Sequence, residues 1–62
     1  MTPIISEYQE GTRNARVHRT TNGEWGVVVF DSVDDFNGFK SFPNENEADL
    51  FAEGWVKGYE SV

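Results

Sequence analysis

Cysteine is absent from this sequence, and leucine, histidine and methionine occur once each. Without cysteine there is no disulfide, no thiolate nucleophile and no thiolate metal site. Apolar packing alone must hold the fold together. No apolar run approaches the roughly 20 residues of a membrane span, and no signal peptide is visible, so a cytoplasmic setting is expected. Sixty-two residues leave room for one small domain and no second one. Basic residues are also scarce: five stand against eleven acidic ones, a net charge of −6. That balance argues against direct nucleic-acid binding, which needs positive potential at the phosphates.

Catalytic patterns are missing as well. Ser6, Ser32, Ser41 and Ser61 sit in no strand–turn–helix elbow. His18 is solitary, and beside Arg16 and Arg19 it is a weak general base. The stretch D-S-V-D-D-F-N-G, with Asp31, Asp34, Asp35 and Asn37, does not fit the calcium-loop spacing. Gly11, Gly23, Gly26 and Gly38 match no phosphate-cradling motif. No enzyme activity, cofactor or metal is expected.

Aromatic side chains are plentiful, at 15% of the chain. Each ring can bury about 150–250 Å², so a few rings and valines must make the core. Charge is unevenly spread. Residues 1–30 are neutral overall, and residues 31–62 carry the whole excess of −6. Sign and position of charge speak to partners rather than to fold.

Residues 1–12 read as an N-terminal arm, in which Ile4 and Ile5 form a short strand or dock on the core. Residues 13–62 read as one β-β-β-α domain. Asn22-Gly23, between two β-rich runs, suits a two-residue type I′ hairpin turn. That turn sets Val17 opposite Val28 and Ala15 opposite Phe30. It puts Ala15, Val17, Val28 and Phe30 on the core face. Arg16, His18, Thr20, Trp25, Val27 and Val29 fall on the other. Asn37-Gly38 reads as a second turn before a third strand at Phe39–Phe42, which Pro43 ends. Asn44 and Glu47 have capping-box spacing, and a helix follows from about Glu45 to Tyr59. Ala48, Phe51, Ala52, Trp55 and Tyr59 form its apolar stripe. Gly54 and Gly58 each cost about 1 kcal/mol against alanine. Close approach to the sheet or to another helix would offset that cost. The expected fold is α+β: a three-stranded antiparallel sheet with one C-terminal helix on one face, the other face open.

The run E-W-G-V-V-V-F, then F-K-S-F, then N-E-A-D-L-F-A-E-G-W resembles short phage proteins in which a tryptophan-bearing strand precedes another strand and an acidic, alanine-bearing helix. The small RNA-polymerase inhibitors of short-tailed phages are similar in this respect. The likeness covers Glu24–Tyr59 and rests on Trp25, Ala48, Ala52, Trp55 and the amphipathic spacing. It implies a compact acidic protein that binds and modulates a host enzyme, in the host cytoplasm if viral.

The favoured reading is therefore a non-enzymatic protein-binding module with Arg16, His18, Trp25, Val27 and Val29 as contacts. The alternative is an acidic nucleic-acid mimic using Asp31, Asp34, Asp35, Glu45, Asp49 and Glu53. A homodimer built on sheet edges, or on Gly54 and Gly58, is the third reading.

Overall fold

Gly11-Thr12 and Asn22-Gly23 are the two sharp turns of the chain's first half, and each closes a hairpin. The computed structural model describes residues 4–61. Strand β1 is Ile4–Glu10, β2 is Arg13–Arg19, β3 is Trp25–Asp31 and β4 is Phe36–Phe42. Helix α1 is Glu45–Val56. All neighbouring strands are antiparallel, in the order β1-β2-β3-β4. The α+β class and the C-terminal helix are as the sequence led us to expect, but the sheet has four strands, not three. The extra strand comes from the expected arm. Gly11, at the first central position between Glu10 and Arg13, takes a positive φ of 60°, as a II′ hairpin turn needs. Residues 1–3 of that arm lie outside the described residues, as do the side chains of Ile4 and Ile5.

The β2–β3 register differs from the expected one by a single residue. Val17 faces Val27, Arg16 faces Val28 and Ala15 faces Val29. The cause is the loop. Thr20 N–H donates to the Glu24 carbonyl at 2.8 Å, and Gly23 N–H donates to the Thr20 carbonyl at 3.2 Å. Three residues, not two, therefore turn the chain, and of these only Gly23 has positive φ (86°). The Thr20 hydroxyl supports this closure by accepting the Glu24 N–H at 3.0 Å and contacting the Asn22 side chain. A one-residue slip turns β3 over completely. Val27 and Val29 are fully buried with Ala15 and Val17, and Val28 and Phe30 face outward.

On the buried face, Ala48, Phe51, Ala52, Trp55 and Val56 of α1 cover the valines, chiefly over β2 and β3. Tyr8, Trp25 and Phe42 close the margins. The Phe42 and Phe51 rings meet at 5.2 Å. The helix begins where its cap predicts: the Asn44 side chain accepts the Glu47 N–H at 2.9 Å. It ends at Val56, three residues short of the expected Tyr59. Gly58 N–H donates to the Trp55 carbonyl at 3.1 Å, and Tyr59 N–H donates to the Gly54 carbonyl at 2.8 Å. With Gly58 at φ 89°, this is a Schellman stop. Gly58 thus serves to end the helix, and Gly54 lies under the Glu60 side chain. Neither brings the helix close to the sheet or to a second helix. Tyr59 leaves the apolar stripe and is 80% exposed.

The second turn also moves. Asn37 and Gly38 lie inside β4, and Ser32–Asp35 makes the β3–β4 link, with Asp35 at φ 51°.

Candidate functional site

Among the described residues, no element packs on the face of the sheet away from α1. Alternation along the strands places Glu7, Arg16, His18, Val28, Phe30 and Phe39 there. Phe39 is 54% exposed, Val28 40% and Phe30 38%, so three large apolar side chains form a patch across β3 and β4. The Phe39 ring lies over Gly26 and against His18, whose ring centroid is 6.1 Å away. A Cβ on Gly26 would stand 2.8 Å from Phe39 Cε2, so the glycine is what allows the ring to lie flat on β3. On the same face a hollow of about 350 Å³ is lined by Asn14, Arg16, Val28, Phe30 and Asn37.

This face is electrically quiet. Arg16 Nε meets Glu7 Oε2 at 3.2 Å, and Asn14 donates to the same oxygen at 3.0 Å. The Asn14 and Arg16 hydrogen bonds hold the Glu7 carboxyl below its ordinary pKa. The patch is therefore neutral in a chain of charge −6.

Of the contacts expected from sequence, Arg16 and His18 do lie on the open face. Val27 and Val29 do not: they are fully buried under the helix. Trp25 is half-buried on the helix side, with the Arg19 guanidinium 5.0 Å above its ring. Val28 and Phe30, expected in the core, replace them, and Phe39 joins them. The open face was missed because the E-W-G-V-V-V-F run is apolar at both parities. Only the turn type distinguishes them, and the Thr20 hydroxyl is the one local signal of it.

The acidic residues do not gather into one array. Asp31 is buried between the β1–β2 turn and the β3–β4 link. It accepts from Thr12 Oγ1 at 2.9 Å, from Val33 N–H at 3.0 Å and from Arg13 Nε at 3.3 Å. Arg13 in turn donates to the Trp55 carbonyl at 2.7 Å and lies 4.6 Å above the Trp55 ring. The last turn of α1 has no basic residue of its own, so Arg13 brings a cation to the helix's negative end from the sheet. Asp34 and Asp35 line a hollow beside this pair with Phe36 and Trp55. Glu45 is exposed in the first turn of α1, and Glu53 pairs with Lys57 at 3.2 Å. Asp49 stands near Tyr8, where burial and then that carboxylate raise the phenol's pKa. Among the described residues, no group of three or more acidic, histidine or cysteine side chains is arranged to hold a metal ion. No helix there is long and apolar enough to cross a membrane.

The cations are all engaged within the chain. Arg13, Arg19 and Lys40 lie over aromatic rings at the core margin, and Arg16 and Lys57 are ion-paired. Arg16 projects to the face opposite Arg13 and Arg19, so the three arginines make no common patch.

Set against protein families, curated proteins and solved structures, the chain has no match.

The Asp31 node gives a pH signature. Burial works to raise its carboxyl. Hydrogen bonds from Thr12, the Val33 backbone, Arg13 and the Asp34 backbone outweigh it and hold the carboxyl below its ordinary pKa. A group depressed in the folded state stabilises it above the unfolded pKa and loses that effect as pH falls through the folded one. The urea midpoint is expected to be level above about pH 5 and to fall below about pH 4. Asp31→Asn should lower the midpoint at neutral pH and flatten the acid limb. An unchanged limb would place the acid sensitivity elsewhere.

Proposed function

We propose that this protein is a non-enzymatic binding module that docks on a larger protein through the open face of its sheet. The observation that carries this reading is the neutral patch of Val28, Phe30 and Phe39 on an otherwise acidic chain. Exposed aromatic surface beside an arginine is the composition of interface hot spots. The likeness of Glu24–Tyr59 to small phage inhibitors supports a modulator of a host enzyme. Internal engagement of every cation speaks against a nucleic-acid partner.

The test uses affinity capture from the native host, followed by titration of the purified captured protein. Val28→Asp is expected to weaken that complex by about 30-fold or more, the size of a hot-spot loss. Val33→Asp, at an exposed site in the β3–β4 link, should leave it unchanged. Equal weakening by both, with both variants folded by circular dichroism, would remove the open face as the docking site.

A further inference from the structure

Strand β4 forms one edge of the sheet, and among the described residues nothing pairs with its outer side. The two edges differ. β1 carries a register shift between Ile4 and Ser6 and two acids, Glu7 and Glu10, devices that discourage pairing. β4 is seven residues long, regular in register throughout, free of proline and bears one charge, Lys40. Its aromatic residues are half open on both faces: Phe39 on the open side, Phe36 (41% exposed) on the helix side. Such an edge is a template for an added strand.

Charge at its two ends says what strand would fit. Asp34 and Asp35 lie immediately before β4, and Glu45 and Glu47 lie just past Pro43-Asn44 after it. All four are exposed, and among the described residues none of their carboxylates is ion-paired. We propose that the outer edge of β4 accepts an extended segment of a partner protein as a fifth strand, with an apolar centre and basic residues at both ends. Backbone hydrogen bonds supply the pairing, Phe36 and Phe39 the apolar contact, and the flanking acids the selection. A second copy of this chain fits badly. An antiparallel β4–β4 pair centred on Phe39 sets Asp34 of each copy opposite Asn44 and Asp35 opposite Pro43 of the other, with Glu45 one place from Asp34, so acids gather at both ends. The inference rests on the protein-binding reading above and adds the partner's local chemistry.

The test is an amide-resolved titration of the whole protein by nuclear magnetic resonance. The probe is a synthetic peptide of alternating valine and threonine with two lysines at each end. Its twin carries glutamates in place of the lysines. The lysine peptide is expected to shift the β4 amides and to slow hydrogen exchange at every second one. The glutamate peptide should bind at least about ten-fold more weakly. Asp34→Lys with Glu45→Lys leaves one acid and one lysine at each end and should abolish that preference. Since the unmodified protein alone distinguishes the two peptides, misfolding of the variant leaves the test intact. Equal binding of both peptides, or binding of neither, overturns the proposal. Shifts confined to Val28 and Phe30 overturn strand addition while favouring the open face. Concentration-dependent protection of β4 without peptide, with a dimer by sedimentation, overturns it in favour of a second copy. Failure of the broader reading is separate: it shows as a Val28→Asp variant that binds its captured partner normally.

Discussion

Trp55→Ala is expected to leave a chain that does not fold at 25 °C. Trp55 is 3% exposed and lies at the junction of every stabilising feature at that end of the molecule. Its ring stacks on Phe36 at 6.4 Å and lies under Arg13, and its carbonyl takes the Arg13 hydrogen bond. Truncating a buried tryptophan costs about 3–5 kcal/mol. A core in a chain of this size rarely supplies more than about 3–5 kcal/mol in total. Phe51 is the only other large ring in the buried core of the described residues, and the rest is valine and alanine, so little else compensates. Loss of the near-ultraviolet circular dichroism signal and of a cooperative urea transition would report the result. Tyr59→Ala is the internal control. Tyr59 falls in the same apolar stripe by spacing, but it lies beyond the Schellman stop, and its removal should change stability by less than about 0.5 kcal/mol. A folded Trp55→Ala, or a Tyr59→Ala that melts early, would mean the helix packs by another face.

The parts legible in the sequence were those written by local chemistry. Asn44 and Glu47 marked the helix start, and Ala48, Phe51, Ala52 and Trp55 marked its buried stripe. The end was harder, because Tyr59 kept the apolar period while Gly58 broke the backbone, and the backbone won. In sequence β1 reads as an arm, because Ser6, Glu7, Gln9 and Glu10 give an edge strand with one wet face little apolar pattern. Gly11-Thr12 was its only clear signal. Asn37-Gly38 misled in the opposite sense, since Gly38 is flat strand beneath Phe36 rather than turn. The site was half legible. Arg16 and His18 are polar residues on a strand with a clear parity, so their face followed from Ala15 and Val17. The valines of β3 had no parity of their own.

That ambiguity gives the second large effect. Val28→Asp is expected to fold and Val29→Asp is expected not to. The two residues are adjacent and identical, and every local propensity treats them alike. In the observed register Val29 is fully buried between Ala15 and the helix, and Val28 is 40% exposed beside Arg16. A carboxylate at position 29 would lose its water with no cation facing it, at an effective cost of several kcal/mol, beyond the margin of a small core. At position 28 the same carboxylate stays hydrated, and Arg16 directly opposite is an oppositely charged cross-strand neighbour. Had the chain turned in two residues at Asn22-Gly23, the outcomes would exchange, with Val28 in the core and Val29 facing Arg16. Urea unfolding of the two variants therefore reads the register directly. A cooperative Val29→Asp beside an unfolded Val28→Asp would overturn the three-residue loop, and with it the open face on which the binding reading stands.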